Sequence, residues 1–183
     1  TQFIDLKKKI TCAGRPIGEY DDKIPSDLTA EQILIRSGNI GSVRIGQKVG
    51  IEKFKLFLEN IGVLNKIEFD IEEVGQPIPF RWGKCKLATV SFGHGITTTP
   101  LQLAKGYSII TNGGYDIRPT LIKRDLNTKE QRKRFLKEGV SEKINPILRK
   151  IVSTKEGTAE FANVSGYEVG GKRVLLKNQL MEF

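Results

Sequence analysis

The sequence predicts a domain, or part of a domain, that mixes helices with strands. Apolar residues follow helical spacing between residues 28 and 61 and again between 100 and 111, whereas residues 115–122 and 164–172 have the weaker character of strands. The chain has 183 residues, of which 38% are hydrophobic and 28% charged. A chain of that length can bury a core without a disulfide or a metal, so we expect one continuous globular unit.

The first thirty residues are rich in turn formers, and three helices are predicted after them. Thr29 and Gln32 fit a capping box at the start of the first helix, which should end near residues 36–39. The apolar positions of the next two helices are Ile40, Val43, Ile45 and Val49, then Ile51, Phe54, Phe57, Leu58 and Ile61. Gly50 and Gly62 should end these helices.

The strongest local signal lies in residues 99–102, after a predicted loop over residues 65–86. The sequence TPLQ places Thr at the N-cap, Pro at the first helical position and Gln at the third. The sequence NGG at residues 112–114 should end that helix. A further helix is expected over residues 145–153.

The composition argues against several classes of protein. No apolar run approaches the ~20 residues of a membrane span, and the opening residues lack a signal-peptide pattern. The chain has one histidine, His94, and its two cysteines, Cys12 and Cys85, are far apart, which leaves too few ligands for a zinc or iron–sulfur site. We therefore expect no metal and no other cofactor. Whether the two cysteines pair stays open.

The formal net charge of +9 is concentrated in residues 123–137, which hold seven basic and two acidic residues. Two interpretations stay open: a solvated helical insertion on the surface, and a basic surface that binds nucleic acid or another anionic partner. Phe135 is the only aromatic residue of the run, so no series of rings could stack on bases. This favours the solvated insertion.

Two glycine motifs match nucleotide-binding patterns only in part. Residues 166–172 fit G-x-x-x-x-G-K, but Arg173 stands where Ser or Thr would bind magnesium, and too little chain follows for the expected helix and strands. Residues 93–95, GHG, lack the third glycine of a dinucleotide fingerprint. The chain also contains no Ser-x-x-Lys, the motif of one common activated serine.

Several short motifs, each weak alone, occur together in a specific order. They are SGNIG at 37–41, SFGHGI at 91–96, TPLQ at 99–102, GTA at 157–159 and GYEVGGK at 166–172. In this order the chain resembles the transpeptidase domain of class B penicillin-binding proteins, and SFGHGI with TPLQL and NGG is most similar to the division-specific septal transpeptidase. The resemblance extends from Leu28 to Lys172. It implies an α+β fold of the penicillin-binding transpeptidase and serine β-lactamase type, with helices on both faces of an antiparallel sheet, here incomplete.

The family uses three active-site motifs, S-x-x-K, S-x-N and K-T-G. Ser37 and Asn39 match the second, and the resemblance implies that Ser37 relays a proton while Asn39 binds the substrate backbone. Lys172 matches the lysine of K-T-G, which would bind substrate near its terminal carboxylate. The nucleophile belongs to S-x-x-K, which is absent from this chain.

The residues after Lys172 depart from the family pattern, because Arg173 and Val174 stand where Thr and Gly are expected. If Lys172 and Arg173 are encoded as AAA-CGG, restoring one adenine gives Lys-Thr-Gly. We therefore expect a partial transpeptidase domain over residues 1–172 that lacks the nucleophile motif, followed by a frameshifted tail over residues 173–183.

The resemblance implies that the parent protein is a bacterial serine-type peptidoglycan D,D-transpeptidase in septal cell-wall synthesis. It would cross-link stem peptides through an acyl-enzyme and bind penicillin and other β-lactams. Cell-division proteins are implied partners, and the parent would be anchored in the inner membrane with its active domain on the periplasmic side. The fragment itself is expected to be inactive. The alternative is a basic, non-enzymatic module for nucleic acid or anionic surfaces, but that explains none of the positions of Ser37, Asn39 and Lys172, so no nucleic acid partner is expected.

Overall fold

The computed structural model describes residues 2–71, 75, 77–123 and 132–172. In this part of the chain, four short strands precede six helices. The strands are β1 (Phe3–Asp5), β2 (Ile10–Cys12), β3 (Arg15–Ile17) and β4 (Asp27–Thr29). The helices are α1 (Ala30–Arg36), α2 (Asn39–Val49), α3 (Ile51–Asn60), α4 (Lys84–Ser91), α5 (Pro100–Thr111) and α6 (Val140–Ser153), and a short 3₁₀ helix follows at Glu160–Ala162.

The strands form two small antiparallel sheets. β1 pairs with β4, placing Ile4 opposite Leu28, and β2 pairs with β3 as a hairpin. The hairpin turns through Ala13 and Gly14, which both have positive φ, as a two-residue turn between twisted strands requires. Each strand is three residues long. The strands escaped sequence prediction because three residues are too few to show alternation.

Both predicted capping boxes are confirmed. At α1, the Thr29 hydroxyl accepts from the Gln32 backbone N–H, and the Gln32 side chain accepts from the Thr29 backbone N–H. Thr99 and Gln102 repeat this arrangement at α5, where the wholly buried Gln102 side chain also donates to the carbonyl of Asn65 at 2.5 Å. This bond ties α5 to the loop that follows α3.

The core consists of several small clusters between helices. α1 packs against α6 on one side and against α2 on the other, and α2 also packs against α4. The hydrophobic side chains buried most completely are Ile33, Val43, Ile109, Ile151 and Val152. Because α1 packs against α6 and α2 packs against α4, the turn between α1 and α2 is held in place from both helices.

The structure corrects four predictions made from sequence. α4 begins at Lys84, inside the predicted loop, because its buried residues Leu87, Ala88 and Val90 are too few to show a helical period. The last long helix begins earlier, at Val140. Residues 115–122 form no strand: Tyr115 makes one isolated bridge with Arg134. Residues 164–172 form none either, since they lie against α6.

The basic run is described only in part. Residues 124–131 lie outside the described residues, and residues 132–137 are not helical, because Arg134 instead pairs with Tyr115. The helical form of the predicted insertion is therefore wrong for residues 132–137. No helix in the described ranges is long and apolar enough to cross a membrane.

Candidate functional site

Ser37 lies in the tight turn between α1 and α2. It has left-handed backbone angles, φ 58° and ψ 38°, which are uncommon for a residue with a side chain. The Ser37 N–H donates to the carbonyl of Leu34 at 3.4 Å, and the Gly38 N–H donates to that of Ile33 at 3.0 Å. These bonds form a Schellman motif, which normally has glycine in the left-handed position. The turn therefore holds a serine side chain in a position that local propensity alone does not favour.

A carboxylate outside this turn holds the start of α2. Gly38 is the N-cap of α2 and has no side chain to cap it. Glu19 takes that role, since its Oε2 accepts from the Asn39 N–H at 2.5 Å and its Oε1 accepts from the Ile40 N–H at 3.0 Å. A negative charge at a helix N-terminus is also favoured by the helix dipole.

The Asn39 side chain is held by the same segment, because its Nδ2 donates to the carbonyl of Gly18 at 3.0 Å. Sequence reasoning missed Glu19, which lies twenty residues before Asn39. One signal could have indicated such a residue: a helix that begins at Ser37-Gly38-Asn39 with glycine at the N-cap needs an acceptor from elsewhere.

The segment before Lys172 runs along α6. The Gly171 N–H donates to the carbonyl of Leu148 at 3.1 Å, and Arg149 Nη1 donates to the carbonyl of Val169 at 2.9 Å. The backbone approaches α6 so closely at Gly170 that a Cβ there would lie 3.2 Å from the Arg149 nitrogen. These contacts deliver Lys172 to the C-terminal end of α1.

Lys172 joins the two parts of the site. Its Nζ donates to the carbonyl of Leu34 at 2.7 Å and to the Ser37 hydroxyl. The C-terminus of a helix carries unpaired carbonyls and a partial negative charge, so it favours a cation. Because an ammonium can only donate, Ser37 Oγ is the acceptor in this pair, and its O–H can donate only to a third group.

Ion pairs link α1 to α6 and to the segment that follows α6. Arg36 Nη2 lies 2.7 Å from Glu156 Oε1, and Lys150 Nζ lies 2.5 Å from Glu31 Oε1. The Tyr20 hydroxyl also donates to the carbonyl of Arg36 at 3.0 Å. α1 is thus linked to α6, to the segment after α6 and to the N-terminal segment.

The structure brings together all three predicted site residues, Ser37, Asn39 and Lys172, in or directly beside one turn. The SFGHGI motif lies elsewhere. Ser91 contacts α2 at Gly46, two helical turns beyond Asn39, where a Cβ on the glycine would collide with the serine side chain. The exposed His94 follows α4 and stacks on Phe92. This motif therefore supports the packing of α2 on α4.

A cleft of about 470 Å³ is lined by Thr111, Asn145, Arg149, Glu168 and neighbouring residues, on the α5 side of α6. Among the described residues, no group of three or more His, Cys, Asp or Glu side chains is placed to hold a metal ion. The α1–α2 turn therefore remains the candidate site, because it brings an ammonium, a hydroxyl and an amide side chain together.

Comparison with known proteins identifies a family. The protein-family model of the penicillin-binding protein transpeptidase domain matches residues 1–172 of the sequence. The "Probable peptidoglycan D,D-transpeptidase FtsI" of Caulobacter vibrioides is 30% identical over 148 residues, which is 79% of this chain and 25% of that protein. "Stage V sporulation protein D" of Bacillus subtilis is 32% identical over 154 residues, or 77% of this chain and 24% of that protein. The chain thus spans about a quarter of the length of these curated relatives.

A solved structure shares the fold. The apo structure of the TP domain of Burkholderia pseudomallei penicillin-binding protein 3 matches with a TM-score of 0.84, at 23% sequence identity, over 93% of this chain and 52% of that chain. This similarity confirms the expected α+β transpeptidase fold in an incomplete form, with small antiparallel sheets and six helices in the described part.

Proposed function

We propose that this chain, which belongs to the family of penicillin-binding protein transpeptidase domains, is part of a serine-type peptidoglycan D,D-transpeptidase. The observation that carries the proposal is the junction of Lys172, Ser37 and the C-terminus of α1, because it positions an ammonium and a hydroxyl as one hydrogen-bonded unit. These groups come from segments 135 residues apart in the chain. Such a junction suits the transfer of a proton.

The proposed reaction is acyl transfer in two steps. A serine supplied by the S-x-x-K motif of the whole protein attacks the carbonyl carbon of the D-Ala-D-Ala bond, and the C–N bond breaks as the leaving amine takes up a proton. The attacking serine gives its proton to the lysine of S-x-x-K, and Ser37 relays a proton from that lysine to the leaving amine while its oxygen accepts a hydrogen bond from Lys172. An amine of a neighbouring stem peptide then takes the acyl group and restores the serine.

Asn39 and Lys172 are proposed to bind the substrate. The Asn39 Nδ2 group is engaged with Gly18, so Oδ1 is the atom that this side chain can offer to a substrate N–H. Lys172 supplies positive charge for the terminal carboxylate of a stem peptide or a β-lactam.

A septal role on the periplasmic side of the bacterial inner membrane is proposed from the SFGHGI motif and from the relative named FtsI. The partners proposed with it are peptidoglycan stem peptides, β-lactams and cell-division proteins, in a membrane-anchored parent. We also propose that residues 1–172 are the transpeptidase part and that residues 173–183 arise from a changed reading frame, which leaves the chain as given inactive.

The first experiment sequences the coding DNA through codon 172 and on both sides, and then labels the whole protein with fluorescent penicillin. We expect an upstream Ser-x-x-Lys, an intact Lys-Thr-Gly and covalent labelling. Ser37→Ala should slow labelling by about 10²–10⁴-fold, the usual contribution of a positioned proton-transfer group. Ser153→Ala, at an exposed serine that ends α6, is the matched control. A confirmed Arg173 tail without an upstream Ser-x-x-Lys would overturn the proposal.

Glu19→Gln tests whether the carboxylate at the start of α2 positions Asn39. We expect a loss of about 1 kcal/mol in unfolding free energy, since the change removes a negative charge from a helix N-terminus. Penicillin acylation should slow by about tenfold as Asn39 shifts. Urea denaturation and labelling kinetics of the whole protein measure the two effects.

The control for this variant is Glu52→Gln, which removes an exposed carboxylate from the first turn of α3. It should cost a few tenths of a kcal/mol and leave acylation unchanged. Equal effects of the two variants would show that Glu19 is an ordinary surface charge.

A further inference from the structure

Two cysteines meet at the contact between the β2–β3 hairpin and α4. Cys12 ends β2, and Cys85 lies in the first turn of α4. Both thiols are free, and Cys85 lies near enough to Cys12 to affect its pKa. The packing agrees with this contact, because Cys12 lies against a cluster that includes Val43 of α2 and Ala88 of α4. Ala88 is three residues after Cys85 and so on the same face of the helix.

The two sulfurs have different environments. Cys85 is exposed to solvent, whereas Cys12 is half-buried. Burial and the neighbouring Cys85 thiol raise the pKa of Cys12 to about 11, so Cys12 remains protonated at neutral pH. An external reagent therefore reaches Cys85 first, and Cys12 is placed to react second.

We propose that Cys12 and Cys85 are a disulfide-forming pair that is oxidised by a protein disulfide of the thiol–disulfide oxidoreductase class. The Cys85 thiolate attacks one sulfur of the external disulfide, which forms a mixed disulfide and releases one thiol of the oxidant. The Cys12 thiolate, after losing its proton to solvent, attacks the Cys85 sulfur and releases the second thiol. The two protein thiols lose two electrons and the external disulfide gains them, so the exchange is balanced.

This bond acts on the candidate site through the hairpin. The chain leaves β3 at Ile17 and passes directly into Gly18 and Glu19, which hold Asn39 and the start of α2. α4 packs on the same helix α2 from another side. A bond from Cys12 to Cys85 closes a loop of over seventy residues and ties together the two elements that flank α2. We infer that it restrains the hairpin and stabilises the turn that carries Ser37 and Asn39.

The test measures the effective concentration of the two thiols in this chain. The protein is equilibrated in glutathione buffers of graded redox potential, quenched with acid, alkylated with a maleimide, digested and analysed by mass spectrometry. We expect a peptide that links Cys12 to Cys85, and an effective concentration in buffer at least about tenfold above that in concentrated guanidinium chloride. Equal effective concentrations in buffer and in guanidinium chloride would overturn the proposal. So would a product in which glutathione is bound to Cys85 while Cys12 remains a thiol and is alkylated.

Two controls make the result specific. Cys12→Ser should end as a stable mixed disulfide between glutathione and Cys85, whereas Cys85→Ser should react slowly, because the remaining thiol is partly covered and its burial still raises its pKa. The second measurement needs no variant: the oxidised wild-type chain should melt at a higher temperature than the reduced one. A Tm that is equal or lower after oxidation contradicts a stabilising bond.

Discussion

Lys172→Met in the whole protein, with its reading frame restored, is expected to lower the rate of penicillin acylation by about 10²–10⁴-fold. Methionine has nearly the length of lysine but no donor, so the bonds to Leu34 and Ser37 are both lost. Ser37 then keeps its hydroxyl but has no cation beside it. The measurement is the second-order rate constant of labelling by a fluorescent penicillin.

Lys150→Met is the matched control for this variant. It also removes a lysine from the surface between α1 and α6, where Lys150 pairs with Glu31. An exposed ion pair contributes about 0–1 kcal/mol, so this variant should lose little stability and no acylation rate. Lys172→Arg adds a second comparison: it keeps the charge but replaces a point donor with a planar fork, and we expect only partial recovery. Acylation by Lys172→Met at the wild-type rate would remove Lys172 from the proposed mechanism.

Gly41→Ala is expected to destabilise the protein by about 1–3 kcal/mol, the usual cost of overpacking a core. α1 and α2 approach so closely at Gly41 that a Cβ there would lie 2.5–2.8 Å from three side-chain atoms of Ile33. Ile33→Ala should cost about 2–5 kcal/mol by itself, since Ile33 is only 1% exposed. Urea denaturation of the whole protein gives both free energies of unfolding.

The double variant Gly41→Ala, Ile33→Ala tests the contact itself. Truncating Ile33 removes all three atoms that a Cβ at Gly41 would meet, so the two changes should cost at least about 1 kcal/mol less together than the sum of their separate effects. Gly18→Ala is the control for a glycine substitution as such, because no atom lies within 4 Å of a Cβ at that position. Strict additivity would show that the α1–α2 turn relaxes around the new methyl group, and would argue against a tightly defined position for Ser37.

Apolar spacing predicted α2 and α3, and capping residues together with apolar spacing predicted α1 and α5. Thr29 with Gln32, and Thr99 with Gln102, satisfy the orphan N–H groups of their own helices within four residues, so the signal is complete in a short stretch of sequence. α4, β1 and β4 were missed because their partners are distant: Ala88 packs on Ile10 and Val43, and β1 pairs with β4 across more than twenty residues. The local β2–β3 hairpin was missed because strands of three residues are too short to show alternation.

The candidate site and the cysteines show the same difference between local sequence signals and contacts that join distant segments. Ser37, Asn39 and Lys172 were identified from short motifs, and the resemblance of those motifs in order predicted the family that the comparisons confirm. Residue identities alone did not show that Lys172 would reach the C-terminus of α1, that Glu19 would cap α2, or that Cys12 would meet Cys85. Each of these contacts joins residues at least twenty positions apart, and chain packing rather than backbone propensity sets the distance between them. The capped starts of α1 and α5 and the order of the motifs could therefore be predicted from the amino-acid sequence, while the meeting of charged, hydroxyl and thiol groups depended on how the helices and the hairpin pack.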